Sequence, residues 1–408
     1  MAGLRRINQD DLRNHNLSVV LGTLLRADEP MSRAELAKQT GLTKATMSLL
    51  VSMLMDGGVV REGKPSVQSS YGRPSTPLLI NGGQYCGLGL QINTDGYGVI
   101  VLDLDGTVVD EQWIDAEMSD VDARQIFAEL DNVTTRLERR LTESGYVVTG
   151  AGLALPGLVT DDMRLLMARN LGWERLDLSE FEVVRRLQTT IGNEANMAAL
   201  AQIPGYATQR RQGGIVGPND SFIYMSTDVG IGGAVVRGGR VEIGDHGFGG
   251  EIGHMSVELR GPVCRCGRRG CLETYAGRRA MVESADIASG SAAARRESIN
   301  ELIERWHDGD VKAVAVVDKA IEAMVSSLAS VINICDIDTV VLGGLWSQFG
   351  DEIAVRMQSM LQRRVLSYPE IRARVLIADV THRPALIGAA AVGLRHLIDA
   401  PMQFVDRS

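Results

Sequence analysis

The sequence lacks any run of about 18 consecutive apolar residues, which is the length that a membrane-spanning helix requires. Its first residues, MAGLRRINQDDLRNHN, also lack the apolar core of a secretory signal peptide. We find no low-complexity segment and no short-period repeat. We therefore predict a cytoplasmic protein that does not contact a membrane.

Cysteine is scarce, and three of the five cysteines lie within eight positions. The five are Cys86, Cys264, Cys266, Cys271 and Cys335. A disulfide framework would usually use an even number of cysteines spread along the chain. In a chain that we expect to be cytosolic, a tight cluster more often binds a metal ion.

Composition indicates a globular protein of two or three domains. The 408 residues are 45% hydrophobic and 23% charged, and domains typically span about 100–200 residues. The net charge of −9 is uneven: residues 1–80 contain 10 Lys/Arg against 7 Asp/Glu, whereas the remainder contains 32 against 44. A mildly basic head on an acidic body suggests that the head alone touches nucleic acid.

The first 80 residues follow the pattern of three helices and a two-stranded wing. Ser32 and Glu35 form a capping box at the start of the second helix, and Thr43 can cap the third. The predicted elements are helices at 12–28, 33–40 and 43–55, and strands at 59–61 and 77–80 around a polar hairpin tip at 62–72.

The second and third helices have the spacing of a helix-turn-helix. Ala37 is a small residue where the two helices would touch, and Gly41 stands at the turn, where a positive φ costs little. The apolar residues that would form a shared core are Leu36, Leu42, Met47 and Leu50. The alternative is an ordinary three-helix module that binds another protein.

On the helix-turn-helix interpretation, the third helix enters the major groove of DNA. The residues expected to meet phosphates and base edges are Thr43, Lys44, Thr46 and Ser48. Lys38 and Gln39 would lie near the DNA backbone, and Arg73 on the wing could enter a narrow minor groove.

After residue 82, strands alternate with helices, which predicts an α/β architecture. We expect strands at 85–91, 97–102, 107–110, 147–154, 222–226, 339–342 and 375–378, and helices at 121–143, 180–188, 194–203, 311–333, 350–364 and 385–397.

The cysteine cluster has a histidine at a suitable distance. His254, Cys264, Cys266 and Cys271 follow the pattern His-x9-Cys-x-Cys-x4-Cys. Three thiolates and one imidazole satisfy a tetrahedral Zn²⁺ with no open position. Two glycines between the last two cysteines let the chain curl, and neighbouring arginines favour thiolate over thiol. We predict a structural zinc site; the alternative is a redox-active thiol group.

The same segment resembles the signature of the ROK family of repressors, uncharacterised proteins and sugar kinases. The signature reads Glu251-Ile-Gly-His254 followed by Cys264-x-Cys-Gly-x-x-Gly-Cys271-x-Glu273. Shorter matches are Leu155-Pro-Gly157, Asn170-Leu-Gly-Trp173, Gly192-Asn-Glu-Ala-Asn196 and Leu342-Gly-Gly344. The resemblance covers essentially the whole chain, and the N-terminal winged helix is similar to the family's repressor branch.

This resemblance implies an α/β protein with a two-lobed actin-like ATPase (ribonuclease H-like) fold and a sugar between the lobes. The expected domains are a winged helix-turn-helix at 1–81, a first lobe at 82–200 completed by helix 385–398, and a second lobe with zinc at 201–384. The family's sugar contacts fall on Asn193, Glu251, His254 and Glu273, with Asn170 as a further candidate. His254 would bind zinc through one ring nitrogen and could donate to the sugar from the other.

The resemblance also implies that kinase activity is lost. The family's Asp-x-Gly-Gly-Thr phosphate loop reads Gln91-Ile-Asn-Thr-Asp95 here, and its Gly-Thr-Gly loop reads Ser226-Thr-Asp228, so two carboxylates would face the phosphates. The base position, Asn-Asp in the kinases, is Asn193-Glu194, whose carboxylate is one methylene longer. We therefore expect no enzyme activity, with Glu194 inactive at the base position.

Together these features predict a sugar-responsive DNA-binding regulator, a repressor of carbohydrate uptake or metabolism genes. A sugar or sugar phosphate between the lobes would alter the affinity for operator DNA, and a homodimer or homotetramer is expected because half-sites come in pairs. Two alternatives remain open. One is an ATP-dependent hexose or N-acetylhexosamine kinase with an accessory DNA-binding head; the other is a regulator that reads another protein.

Overall fold

The computed structural model describes residues 8–64, 76–119, 121–160, 162–210 and 213–406. Most of the predicted hairpin tip of the wing lies outside the described residues, and so does Arg73. Within the described ranges, no helix combines the length and apolarity needed to cross a bilayer.

Helices occur in all parts of the chain and agree with the main predicted segments. In chain order they are α1 (Gln9–Arg26), α2 (Arg33–Thr40), α3 (Lys44–Asp56), α4 (Ala123–Glu143), α5 (Glu182–Arg186), α6 (Glu194–Ala201), α7 (Glu273–Ala276), α8 (Arg278–Ser284), α9 (Arg296–His307), α10 (Val311–Cys335), α11 (Asp351–Gln362), α12 (Pro384–Asp399) and α13 (Met402–Val405). Short 3₁₀ turns occupy Leu178–Glu180, Ile252–His254, Ala292–Ala294 and Leu345–Gln348.

The strands form two small and two large sheets in the described part of the chain. They are β1 (Met31–Ser32), β2 (Val60–Glu62), β3 (Pro77–Ile80), β4 (Tyr85–Asn93), β5 (Gly96–Asp103), β6 (Val108–Asp115), β7 (Val147–Leu155), β8 (Leu158–Val159), β9 (Arg164–Ala168), β10 (Trp173–Asp177), β11 (Thr190–Asn193), β12 (Phe222–Thr227), β13 (Ile231–Arg237), β14 (Arg240–Val241), β15 (Thr339–Gly344) and β16 (Arg374–Ile377).

Local side-chain signals start and end the helices of the head. The Ser32 hydroxyl accepts a hydrogen bond from the Glu35 N–H, and the Glu35 carboxylate accepts one from the Ser32 N–H, so the predicted capping box is present. Gly41 ends α2 with a φ of 74°. Thr43 then caps α3 by accepting from the Thr46 N–H.

The wing has one strand more than the sequence predicts. Strands β2 and β3 pair antiparallel, and the two-residue strand β1 pairs antiparallel with the other edge of β3. The order is therefore β1-β3-β2. A strand of two residues is too short to show an alternating pattern, which explains why the sequence does not reveal it.

The first large sheet has the order β11-β7-β4-β5-β6. Strands β4, β5 and β6 run antiparallel, whereas β7 is parallel to β4 and β11 is parallel to β7. Leu88 and Leu90 of β4 pack with Phe127 and Leu130 of α4 on one face. Helix α12 covers the opposite face, so both faces of β4 are buried.

Glycines allow α12 to lie directly on this sheet. A Cβ at Gly89 would lie 2.2 Å from the carbonyl oxygen of Leu386, and a Cβ at Gly152 would lie 2.2 Å from the carbonyl oxygen of Ala389. Side chains cannot be accommodated at such distances. The close contact of α12 with β4 and β7 therefore requires glycine at these positions.

The second large sheet has the order β14-β13-β12-β15-β16. Strand β12 is antiparallel to β13 and parallel to β15, which is parallel to β16. Helix α10 packs against this sheet: Val317 and Ile321 belong to the same buried cluster as Ile223 and Leu342. We call the parts built on the two large sheets the first and second lobes.

Helices α12 and α13 hold the head against the first lobe. Leu21 of the head and Leu394 of α12 belong to one buried apolar cluster. Asn14 of α1 binds both sides of the turn after α12: its Nδ2 donates to the Asp399 carbonyl at 3.1 Å, and its Oδ1 accepts from the Met402 N–H at 3.1 Å. The head is therefore docked through polar as well as apolar contacts.

The orientation of α3 gives a first testable prediction. Leu50 is 2% exposed, whereas its neighbour Leu49 is 57% exposed. Leu50→Ala should lower the free energy of unfolding of the head by about 2–5 kcal/mol, because it leaves a cavity. Leu49→Ala, the matched control, should change it by less than about 0.5 kcal/mol. Thermal and urea denaturation measure both, and equal losses would show that the helix face is wrongly assigned.

Candidate functional site

A cavity of about 890 Å³ opens between the two lobes. The first lobe contributes residues at the carboxyl ends of its strands, including Gln91 and Asn193, and the second lobe contributes Ser226 and Gly344 in the same way. Ligands of open α/β folds bind outside the carboxyl ends of the strands. The cavity is therefore the candidate ligand site.

All of the residues that the family resemblance assigned to sugar binding line this cavity. They are Asn170, Asn193, Glu251, His254 and Glu273. They come from separate segments of the chain, so only the fold brings them together. The structure thus gathers amide, carboxylate and imidazole groups that can bind hydroxyls.

Two of these side chains already have bonds within the protein. Asn193 caps α6: its Oδ1 accepts from the Ala195 N–H at 2.8 Å, and its Nδ2 donates to the Gly157 carbonyl at 3.0 Å. Glu273 accepts from the Ile231 N–H at 3.2 Å through Oε2. These bonds fix both groups in the cavity, and each keeps further hydrogen-bonding capacity for a ligand.

The four predicted zinc ligands form one compact group beside the cavity. The ligand atoms of His254, Cys264, Cys266 and Cys271 all lie within 4.8 Å of one another. Cys266 Sγ and Cys271 Sγ are 3.6 Å apart, and Cys264 Sγ is 3.7 Å from His254 Nδ1. Three sulfurs and one imidazole nitrogen at this separation fit a tetrahedral metal ion.

His254 connects this group to the cavity. Its Nδ1 faces the sulfurs, and its Nε2 lies 3.9 Å from Glu251 Oε2. Burial raises the pKa of the Glu251 carboxyl. The histidine can therefore coordinate a metal from one side and leave its other nitrogen directed at the ligand site.

Arg278 is a central residue of the cavity that the sequence did not reveal. Its side chain is 3% exposed and forms ion pairs with Asp95 of the first lobe, at 3.2 Å, and with Asp228 of the second. Its Nη1 also donates to the Ala294 carbonyl at 2.7 Å. Nothing in the local sequence predicts that an arginine at the start of a short helix contacts both lobes.

This arginine contacts the two carboxylates that the resemblance places beside a nucleotide's phosphates. Asp95 and Asp228 both bind the Arg278 guanidinium, which stands between them. The phosphate loops are thus changed in sequence and joined by an internal ion pair.

Glu194, at the family's base position, has an unusual environment. It lines the cavity at the start of α6. Burial raises the pKa of Glu194 to about 7, with Asp95 acting in the same direction, while a hydrogen bond from Gln91 and the charge of Arg278 oppose the shift.

A second set of contacts joins the lobes at the rim of the cavity. Glu111 of β6 accepts from Arg383 Nε at 2.8 Å and lies 2.9 Å from His382 Nε2. The Arg383 guanidinium also stacks on the Trp113 ring, 3.9 Å from its centroid. Both His382 and Arg383 precede α12 directly, and neither was identified from the sequence because their partners are distant along the chain.

Most of the predicted DNA contacts are exposed side chains of α2 and α3. Exposed residues are Lys38, Gln39, Thr43, Lys44 and Ser48, and Thr46 is half-buried. All three hydroxyls bond locally: Thr43 caps α3 and shares a hydrogen bond with the Thr46 hydroxyl at 2.9 Å, and the Ser48 hydroxyl donates to the Lys44 carbonyl. Arg73 lies outside the described residues.

Comparison with known proteins assigns both parts of the chain. Residues 88–395 match the model of the ROK family, and residues 17–63 match that of the IclR helix-turn-helix domain. The second match confirms the predicted helix-turn-helix and rules against an ordinary three-helix module. The first confirms the resemblance drawn from the zinc and glycine motifs.

Full-length relatives share this combination. The xylose repressor of Bacillus subtilis (strain 168) is 26% identical over 393 residues, covering 96% of this chain and 98% of its own. A solved ROK family transcriptional regulator, described as a homolog of the E. coli MLC protein, has a TM-score of 0.76 and 23% identity over 97% of this chain and 99% of its own.

A kinase of the family shares the two lobes without the head. The ROK glucokinase from Streptomyces griseus, solved with glucose and AMPPNP, has a TM-score of 0.60 and 24% identity, covering 75% of this chain and 98% of its own. These structures establish the actin-like ATPase-type fold. Because the family model spans most of the sequence, the chain belongs to the ROK family, with a helix-turn-helix at its N-terminus.

Proposed function

We propose that this protein is a sugar-responsive DNA-binding transcription repressor of carbohydrate uptake or metabolism genes. The observation that carries the proposal is the union, in one chain, of a helix-turn-helix with a cavity lined by hydroxyl-binding side chains. The full-length likeness to a xylose repressor supports it.

The effector that we propose is a monosaccharide or its phosphate, held between the lobes. Its hydroxyls would bind Asn170, Asn193, Glu251, His254 and Glu273, because a carboxylate or amide can bridge two adjacent hydroxyls. D-xylose and D-glucose are the first sugars to test, since one relative is a xylose repressor and one solved relative binds glucose. N-acetyl-D-glucosamine completes a panel of three.

On the DNA side, α3 would enter the major groove. Thr43, Lys44, Thr46 and Ser48 would meet base edges and phosphates, and Lys38 and Gln39 would lie near the backbone. The wing residue Arg73 would enter a narrow minor groove. Sugar changes operator affinity only if it binds one arrangement of lobes and head more tightly than another. Helix α12, which runs from the cavity to the head, is the element that can link the two.

The proposal predicts salt-dependent binding to the DNA upstream of the protein's own gene, altered by one sugar of the panel. Lys44→Ala should weaken binding and reduce the slope of log affinity against log salt by about 1, because one phosphate contact is lost. Lys319→Ala, an exposed lysine of the second lobe, is the control and should bind as the wild type does. Fluorescence anisotropy across a salt series measures all three proteins.

Absence of salt-dependent operator binding in the wild type would refute the proposed function. Binding with no response to any sugar in a wider thermal-shift screen would instead favour a regulator that reads another protein.

We also propose that the cluster of His254, Cys264, Cys266 and Cys271 binds one structural Zn²⁺. The donor set supports this: four protein ligands leave no open position for catalysis, and soft thiolates prefer zinc to hard cations. When bound, the ion would fix His254 and so orient its free nitrogen toward the sugar.

Metal analysis tests the zinc proposal. We expect about one zinc per chain in the purified protein, and Cys266→Ser should lower both the zinc content and Tm because a ligand is lost. Cys335→Ser is the matched control, since Cys335 lies outside the cluster, and it should keep the metal. Equal zinc content in the two variants would exclude the proposed ligand set.

We propose further that the protein is not a sugar kinase. The Asp95–Arg278–Asp228 ion pairs fill the region where phosphates would bind, and their summed charge is negative. One observation favours the alternative: Glu194 remains a carboxyl group with a pKa near neutrality, which suits a general base. Sugar-dependent ATP consumption that disappears in Glu194→Ala would establish the kinase.

Glu194 gives a pH-dependent prediction. Its pKa is about 7 when folded against 4.5 ordinarily, so the folded state binds more protons between these values and stability falls as pH rises from 4.5 to 7. Glu194→Gln should therefore match the wild-type Tm near pH 4.5 and exceed it increasingly up to pH 8. Glu174→Gln, at an exposed carboxylate, is the control. A Tm difference that is constant with pH would contradict the environment described.

We propose an even-numbered assembly and three domains. A homodimer or homotetramer would place two heads on paired half-sites. The boundaries 1–81, 82–200 with 385–398, and 201–384 separate the head and the two large sheets, which supports them.

A further inference from the structure

Three charged residues beside the cavity form a connection between the two lobes. Asp95 lies in the turn between β4 and β5, Asp228 directly follows β12, and Arg278 begins α8. Asp95 and Arg278 are 183 residues apart in the sequence. We call the three residues the clasp.

The clasp differs from a surface ion pair because its arginine is buried. The Arg278 side chain is 3% exposed, against 24% for Asp95 and 47% for Asp228. A buried guanidinium is tolerated only when charged and polar partners replace water. Both Nη atoms donate to Asp95, at 3.2–3.3 Å, and Nη1 also donates to the Ala294 carbonyl. The arginine therefore depends on groups from both lobes.

We propose that Arg278 is a positioning residue that holds the two lobes together without a nucleotide, so that a sugar alone sets the lobe arrangement that the head senses. The inference rests on the proposed function for its link to DNA, while the lobe arrangement itself can be measured independently.

Charge balance supports this role. Without the guanidinium that both contact, Asp95 and Asp228 would lie close together with Glu194 nearby, and like charges at short range repel strongly in a partly desolvated site. Because Asp95 belongs to the first lobe and Asp228 to the second, this repulsion would act to separate the lobes.

The clasp also explains how the cavity can work with a single ligand. A polyphosphate would have to displace two carboxylates from Arg278 and then lie beside them, which electrostatics disfavours. A neutral sugar bound at Asn193, Glu251 and Glu273 does not compete with the clasp for charge. The clasp thus excludes nucleotide and leaves the sugar half of the cavity open.

The decisive variants differ in how much charge they leave uncompensated. Arg278→Met leaves both aspartates without their cationic partner. Arg278→Met combined with Asp95→Asn and Asp228→Asn removes the repulsion, and Arg278→Lys retains a cation. Arg279→Met is the matched control, because Arg279 pairs with Glu283 of its own helix and does not reach the other lobe. Tm is measured for each to confirm folding.

Small-angle X-ray scattering of the full-length protein without sugar measures the radius of gyration, which reports the lobe arrangement. We expect a larger radius of gyration for Arg278→Met that returns toward the wild-type value in the triple variant, in Arg278→Lys and at high salt. A merely structural arginine would not be rescued by removing its partners. A radius of gyration equal to that of Arg279→Met, or an expansion that persists in the triple variant, would overturn the inference.

Operator binding measures the coupling between sugar binding and DNA binding. In Arg278→Met, the factor by which the active sugar of the panel changes operator affinity should fall at least about fivefold, and in Arg279→Met it should be unchanged. If the wild type does not respond to sugar, the proposed function fails while the scattering result still decides the clasp. If the wild type responds and Arg278→Met responds equally, the clasp fails and the function stands.

Discussion

Helix α12 packs on the bare backbone of the first sheet, and the rest of the molecule is arranged around this contact. A Cβ at Gly87 would lie 2.3 Å from the Ala390 carbonyl oxygen, as close as at the two glycines further along β4 and β7. The helix begins at the cavity rim with Pro384 and ends at Asp399, which accepts from Asn14 of the head. One rigid element therefore touches the ligand site, the sheet and the DNA-binding domain.

The head shows what local sequence signals can predict. Caps and turn glycines act within three or four residues, so Ser32, Gly41 and Thr43 set the limits of α2 and α3 in any surroundings. The extra strand β1 and the docking on α13 were not predicted, because they depend on partners distant in the chain. A two-residue strand acquires its structure from its neighbour, not from its own composition.

The candidate site likewise contains features that the sequence could predict and features that it could not. The His/Cys cluster could be predicted because its four residues lie within 18 positions, where spacing constrains geometry. The sugar residues were assigned by family resemblance and line one cavity as expected. Arg278 was missed since its role arises only when two lobes meet. Sequence reasoning singled out Asp95 and Asp228 but could not show that a cation stands between them.

The turn before α12 is where a movement between the lobes would reach the helix. Arg383 adopts a φ of 40°, a conformation that non-glycine residues rarely take. It is held there by Glu111 and Trp113 of the first lobe, while β16 of the second lobe lies only a few residues earlier in the chain. Because Asn14 fixes the head to the far end of α12, the head cannot shift relative to that end without losing two hydrogen bonds. A change in lobe arrangement would therefore be resisted at the start of the helix, and the head would have to move together with the helix.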